Sequence, residues 1–299
     1  MQAIRQILTA SATGVLLVTG VVYATGGAPK LLEEAAERRF WAVKSTAVHS
    51  YDAVVLGDSR AYRGLDPKVI EEETGLRAIN LGFSSAGFSR SLFVWADRHL
   101  RPSGGRRVVI LAVTPFFLTA EAARNQHISQ WAGRSKAHLF EVAWLEHLLI
   151  FLSPDALKAI SPRPLSNPYF QTFHDSGFIE SDRAKHEVEE GVAAYREQFA
   201  QHKVSRKVID GLMEQIGAWQ GQGIRVVAYR PPVSSGVRRI EDAQSGWDDQ
   251  VWKAELDAFG VRWTDFGAGR FEAYDGSHLT GPEARRLTRE VVRILLRDP

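Results

Sequence analysis

The sequence contains no cysteine, so disulfides and thiolate metal sites are excluded. No spacing of His, Asp and Glu resembles a metal-ligand set, and no motif calls for a cofactor. Net charge is nearly absent as well. The 37 basic and 35 acidic residues leave +2, too little to argue for nucleic acid as a partner. Internal repeats, low-complexity tracts and long charge runs are missing. What remains is a chain of 299 residues, 44% apolar, which is an ordinary globular composition. Its length suits one large domain or two small ones.

Charge is missing altogether from one stretch, Gln6 to Pro29, which holds Ile7-Leu8, Val15-Leu16-Leu17-Val18 and Val21-Val22-Tyr23-Ala24. A membrane span needs about 20 residues. Residues 1–30 therefore read as an uncleaved signal anchor. Arg5 on the cytoplasmic side would place the remainder outside, in the periplasm or at the cell surface. A cleaved signal peptide, ending near Val22-Tyr23-Ala24, and a buried N-terminal helix are the rival readings. Residues 31–50 follow as a linker, with a charged helix from Leu31 to Lys44.

The chain beyond is organised around Tyr51 to Pro67. Ala53 to Leu56 is a short apolar run with the composition of a strand buried on both faces. It stops at Gly57-Asp58-Ser59, a turn signal, and Asp66-Pro67 then starts a helix. A serine hydroxyl thus stands at the C-terminal end of an expected parallel strand, the edge where open α/β sheets bind ligands. Ser59 is the candidate nucleophile, and Asp58 reads as a turn stabiliser.

Further strands are expected at Arg77 to Leu81, Arg107 to Val113, Ile224 to Tyr229 and Val261 to Thr264. Helices are expected at Pro67 to Glu73, Arg90 to Leu100, Val204 to Gln220 and Asp249 to Phe259. This alternation predicts an α/β fold: a five-stranded parallel sheet with helices on both sides. The rhythm breaks at about 119–205, which reads as a helical insertion on one core. Within it, Phe140 to Leu152 is an apolar helix candidate, Ser161 to Ser181 a loop, and Arg183 to Gln201 a charged helix. Trp131, Phe140, Trp144 and Phe151 read first as core. The last helix carries Thr280 and Glu283 as a capping box, with Leu287, Val291, Ile294 and Leu295 on one apolar face.

Just before that helix stands Tyr274-Asp275-Gly276-Ser277-His278-Leu279. An Asp three residues ahead of a His can orient the imidazole while the His takes a proton from a serine. The chain order is Ser59, Asp275, His278. With these elements the sequence resembles the SGNH, or GDSL-type, hydrolase superfamily. Gly57-Asp58-Ser59 follows the first strand, Asp275-x-x-His278 precedes the last helix, and Asn80-Leu81-Gly82 through Gly87 is similar to the second block. The resemblance runs from about Tyr51 to the C-terminus, the insertion excepted. It implies a flavodoxin-like three-layer α/β/α domain over 51–299, an ester-type substrate and a serine acyl-enzyme. The family's third block has an Asn donor where this chain reads Ala112-Val113-Thr114-Pro115-Phe116. The candidate oxyanion donors are therefore the Ser59 amide, an amide at Ser85 or Gly87, and the Thr114 hydroxyl.

A tethered domain with these altered blocks is similar to a membrane-anchored branch whose members assist O-acylation of envelope polymers such as teichoic acids and alginate. That similarity implies a serine esterase or O-acyltransferase acting on an acylated envelope glycan, partnered by a membrane-bound O-acyltransferase. A non-catalytic glycan-binding or assembly subunit, and a lipase or thioesterase, are the alternatives. Arg60, Arg63 and Arg230, all expected near strand C-termini, are candidates for binding an anionic polymer or phosphate. Ser84, in Gly82-Phe83-Ser84-Ser85-Ala86, is a rival nucleophile, although Ala86 stands where the elbow motif has glycine. His174-Asp175 reads as an ordinary loop pair with a lid role as the alternative, and His138 and His147 as packed or capping residues.

Overall fold

The structure is a computed structural model that describes residues 13, 14, 16, 17, 20, 21, 28–46, 50–84, 86–142 and 169–296. In chain order its elements begin with α1 (Ala28–Thr46), β1 (Ala53–Leu56), α2 (Ser59–Tyr62), α3 (Pro67–Thr74), β2 (Ala78–Asn80), α4 (Arg90–His99) and β3 (Val108–Ala112). A 3₁₀ turn at Phe116–Leu118 leads to α5 (Ala120–Arg124), α6 (His127–Ala132) and α7 (Lys136–Phe140). Then come β4 (Tyr169–Phe173), β5 (Ile179–Arg183), α8 (Val188–Gln201), α9 (Arg206–Gly221), β6 (Arg225–Arg230), α10 (Ser235–Gln244) and α11 (Asp249–Ala258). The chain closes with β7 (Arg262–Asp265), α12 (Gly281–Val291) and a π-helical turn at Val292–Leu296.

The chain divides into two compact units, residues 1–46 with 134–168, and residues 47–133 with 169–299. In the first, α1 packs on α7, and the Lys44 ammonium lies 4.7 Å from the ring centroids of both Phe40 and Trp41. Phe140, expected in the core, is 57% exposed. Trp144, His147, Phe151 and most of the helix expected at Phe140 to Leu152 lie outside the described residues. So does most of the uncharged N-terminal stretch. Among the described residues no helix is long and apolar enough to cross a membrane.

The second unit holds a five-stranded parallel sheet in the order β2-β1-β3-β6-β7. The chain winds outward from β1 to β2, then returns to β3 and continues to the other edge. Its direction reverses between β1 and β3, and the crevice at their carboxyl ends is where such sheets bind ligands. β1 and β3 are buried at every residue, as strands covered on both faces must be. Val55, Ile110, Val227 and Tyr229 share one core with Ile70 of α3 and Leu287 and Val291 of α12. α4 and α9 pack on β1 and β6, with Phe93 set edge-on to Trp219 at 5.6 Å. Each such buried side chain contributes about 1.5–3 kcal/mol of hydrophobic stabilisation. Local signals agree with this packing at α3: Asp66 accepts from the Lys68 amide at 3.0 Å, and Gly75 ends the helix at φ +69°.

Two further expectations are corrected. The stretch read as a loop from Ser161 to Ser181 contains an antiparallel hairpin, β4 paired with β5 from Tyr169↔Arg183 to Phe173↔Ile179. Alternate β4 residues, Tyr169, Gln171 and Phe173, are partly covered, while Phe170 is exposed. The capping box at α12 does not close: the Thr280 side chain caps nothing. Glu283 turns instead to the Glu272 amide and to Arg286.

Candidate active site

The serine turn is built by tight packing. A Cβ on Gly57 would lie 2.6 Å from Ala61 Cβ and 2.8 Å from Ala112 Cβ, so only glycine lets β1 turn so closely past β3. Asp58 then caps α2: its Oδ1 accepts from the Arg60 amide at 2.9 Å. Its Oδ2 accepts from Thr114 Oγ1, just beyond β3, at 2.6 Å. Asn80, at the end of β2 and fully buried, donates through Nδ2 to the carbonyls of Ala61 and Leu65 at 2.8 and 2.9 Å. Its Oδ1 accepts from the Gly82 amide at 2.9 Å. Three strand ends thus fix Ser59, which is the first residue of α2. At that position a helix leaves N–H groups without helical acceptors.

The histidine loop is equally constrained. Gly276 turns it at φ +89°, and Tyr274 N donates back to His278 O at 3.0 Å. Asp275 Oδ1 accepts from the Ser277 and His278 amides, both at 2.9 Å, and from Ser277 Oγ at 3.1 Å. That leaves Oδ2 for the imidazole. From outside, the Glu187 amide donates to Tyr274 O and the Ser234 amide to Gly276 O, both at 2.8 Å. Gly191 of α8 packs on the Asp275 carbonyl so closely that a Cβ would overlap it.

These two constructions meet. His278 Nδ1 lies 2.7 Å from Asp275 Oδ2, and His278 Nε2 lies 2.7 Å from Ser59 Oγ. A proton on Nδ1, donated to the carboxylate, leaves the Nε2 lone pair to accept the serine proton. Asp275 suits this role. Burial alone would raise its pKa, but the adjacent His278, its hydrogen bond and the two amides outweigh burial and hold the carboxyl well below its usual range. It is therefore an anion at neutral pH. The imidazole face is stacked on Tyr274 at 6.0 Å. Arg63 Nη1 donates to the Tyr274 hydroxyl at 3.0 Å, and Arg63 Nη2 donates to Gln171 on the hairpin at 2.9 Å.

The remaining candidates sit elsewhere than expected. Arg60 is not open to an anionic ligand: it is buried, with Nη2 2.7 Å from Glu241 Oε1. Arg230 is 0% exposed and donates to Glu241 at 3.0 Å, Asp242 at 2.6 Å and Asp249 at 3.2 Å. Burial would raise the Glu241 pKa, but the two guanidiniums overcome it and keep Glu241 below its usual value. This Arg–Glu–Arg set ties the serine turn to β6 and α10. Both guanidiniums are buried and paired with carboxylates of the protein rather than presented to a ligand. The Thr114 hydroxyl, spent on Asp58, is not an oxyanion donor. Gly87 packs against Phe117 O, Ala122 and Ala123, and Ser85 lies outside the described residues. His174 stacks on Phe178 beside Glu180. Its turn is docked on β2, where Asn80 N donates to Ser176 O at 2.8 Å, rather than on the site. Ser84 makes no side-chain hydrogen bond among the described residues. Sequence reasoning missed Asn80 as a tether and Glu241 as the partner of two arginines. The one sequence signal for Asn80 was its polarity at the end of an apolar strand; Glu241, in a run of charged residues, gave none.

A cavity of about 320 Å³ opens beside His278, between the hairpin residues Tyr169 and Arg183 and the α8 residues Glu190, Tyr195 and Gln198. Burial pushes the Tyr195 phenol up to about 12, against the pull of Arg60, so it is a neutral hydroxyl, and it hydrogen-bonds Ser277. Among the described residues no group of three or more His, Asp or Glu is placed to hold a metal ion. Comparison of the sequence with protein-family models and with curated proteins finds no match.

Proposed function

We propose that the chain is a serine esterase or O-acyltransferase with Ser59 as nucleophile, His278 as general base and acid, and Asp275 as the group that orients His278. The observation that carries this reading is the Ser59–His278–Asp275 relay, with both links at 2.7 Å. Ser59 Oγ attacks the acyl carbonyl carbon as its proton passes to His278 Nε2. The ester C–O bond breaks, and His278 returns the proton to the departing alcohol oxygen. Water or a second hydroxyl then attacks the acyl-enzyme by the same steps in reverse. The Ser59 amide is the oxyanion donor of this reading. One such donor is worth about two to three orders of magnitude in turnover.

On its resemblance to the SGNH superfamily, and on the uncharged N-terminal stretch, we place this activity in a membrane-anchored, extracytoplasmic protein. There it would act on an acylated envelope glycan beside a membrane-bound O-acyltransferase. One observation favours a second reading, a non-catalytic glycan-binding or assembly subunit: Thr114 stands where the family has its asparagine donor, and its hydroxyl is committed to Asp58. Fluorophosphonate labelling of the full-length chain separates the two. A competent relay labels at Ser59, and the signal is lost in Ser59→Ala and His278→Ala. A folded wild-type chain that does not label is not the proposed enzyme.

A further inference from the structure

The cavity beside His278 is lined by His278, Asp275 and Ser277 but not by Ser59, so it lies on the imidazole side of the nucleophile. In acyl transfer the two sides of Ser59 hold different things. The acyl carbon is bonded to the serine, while the alcohol oxygen faces the Nε2 that protonates it. A compound held there would stand beside the imidazole, where the alcohol half of the ester, or the hydroxyl compound that receives the acyl group, has to be.

Its lining selects the kind of alcohol. The Gln198 amide has no hydrogen-bond partner among the described residues. Arg183 Nε is buried without one. Glu190, 54% exposed, gives one carboxylate oxygen to Arg183, and the other has no partner among the described residues. A donor, an acceptor and an amide that is both thus converge on one small space, which is the complement of hydroxyl groups that donate and accept. Guanidiniums already lie near both tyrosine rings of the lining. The Arg183 and Arg63 guanidiniums lie 4.2 and 5.7 Å from the Tyr169 ring centroid, and Arg60 lies 5.4 Å from that of Tyr195. An alkyl chain would leave these polar groups unpaired, each at about a tenfold loss in binding. The volume stands at the lower end of the range of about 300–1,000 Å³ for small-molecule sites, room for one ring.

We propose that this cavity is the alcohol subsite and that it takes a hydroxyl-rich ring about the size of one sugar unit, bound by Gln198, Glu190 and Arg183. The proposal rests on Ser59 being the nucleophile. Its test compares two acetyl donors on the full-length chain, monoacetylated methyl glycosides and 4-nitrophenyl acetate. Both leave the same acetyl-enzyme, so the ratio of their kcat/KM values isolates the alcohol. In Gln198→Ala and the volume-conserving Gln198→Leu, the glycoside-to-aryl ratio should fall about tenfold for the one lost hydrogen-bonding group. Fluorophosphonate labelling and thermal melting are measured alongside. A ratio unchanged in folded, labelling variants overturns the subsite and leaves the nucleophile standing, as does a wild type that turns over the aryl ester but no glycoside. A folded wild type that neither labels nor cleaves either donor overturns both.

Discussion

Gly191 offers a sharp test of how the catalytic loop is held. It lies within α8, where alanine is the better helix former by about 0.5–1 kcal/mol, so propensity alone makes Gly191→Ala stabilising. Packing reverses the sign. A Cβ there would overlap the Asp275 carbonyl oxygen while lying 3.2 Å from the carbonyl carbon and 3.7 Å from Gly276 Cα. All of these atoms are backbone, so no side chain can rotate away, and α8 and the loop must part by about 1 Å. Overpacking of this kind costs about 1–3 kcal/mol. A misplacement of about 1 Å in a catalytic constellation costs about 100-fold in rate. Gly211 in α9 is the matched control, because a Cβ there meets nothing within 4 Å. Gly211→Ala should raise the melting temperature by about 1–3 °C and leave labelling intact. Gly191→Ala should melt earlier and react with fluorophosphonate about 100-fold more slowly. If Gly191→Ala instead labels at the wild-type rate and gains stability as Gly211→Ala does, α8 does not buttress Asp275.

Four further outcomes follow from the same geometry. Asp275→Asn should cut turnover by about four orders of magnitude, because an amide no longer fixes the Nδ1–H tautomer; esterase kinetics measures it. Asp275 is held below its ordinary value near 4, so its charge stabilises fully above about pH 4, and the contribution is lost as pH falls through the folded pKa. Urea midpoints between about pH 2 and 5 should therefore drop more steeply in wild type than in Asp275→Asn. Thr114→Val removes the 2.6 Å bond to Asp58 and should cost about 1.5–3 kcal/mol with slower labelling, whereas Thr114→Ser keeps both. Glu241→Ala leaves Arg60 and Arg230 without their shared buried partner and should cost about 3–5 kcal/mol in urea unfolding, the largest loss of stability in this set.

Parts of this structure were legible in the chain, and for physical reasons. The central strands β1 and β3 are short apolar runs closed by Gly, Pro or polar turns, as burial on both faces requires. Ser59, Asp275 and His278 could be paired in advance because each sits in a turn whose exit is a helix. What stayed hidden depends on distance along the chain. Arg60 meets Glu241 across 181 positions, and no local pattern distinguishes that buried pair from two solvated surface charges. Thr114 reads as a free hydroxyl until Asp58, 56 positions away, is folded against it. The hairpin at Tyr169–Arg183 was masked by its Ser, Asn and Pro surroundings, and its backbone pairing outweighed that composition.

The division of labour within the second unit follows from these contacts. The sheet supplies the serine turn and the loop before α12 supplies the imidazole. The cavity walls come from the hairpin and α8, segments outside the parallel sheet. The same α8 that presents Glu190, Tyr195 and Gln198 to the cavity presses Gly191 on Asp275 and leads in from Glu187, whose amide holds Tyr274. One helix therefore both lines the cavity and buttresses the loop that carries Asp275 and His278. A change that tilts α8 to admit a larger alcohol also moves the Asp275 carbonyl. Substitutions at α8 and in the histidine loop should then couple rather than add, because both act through that one backbone contact.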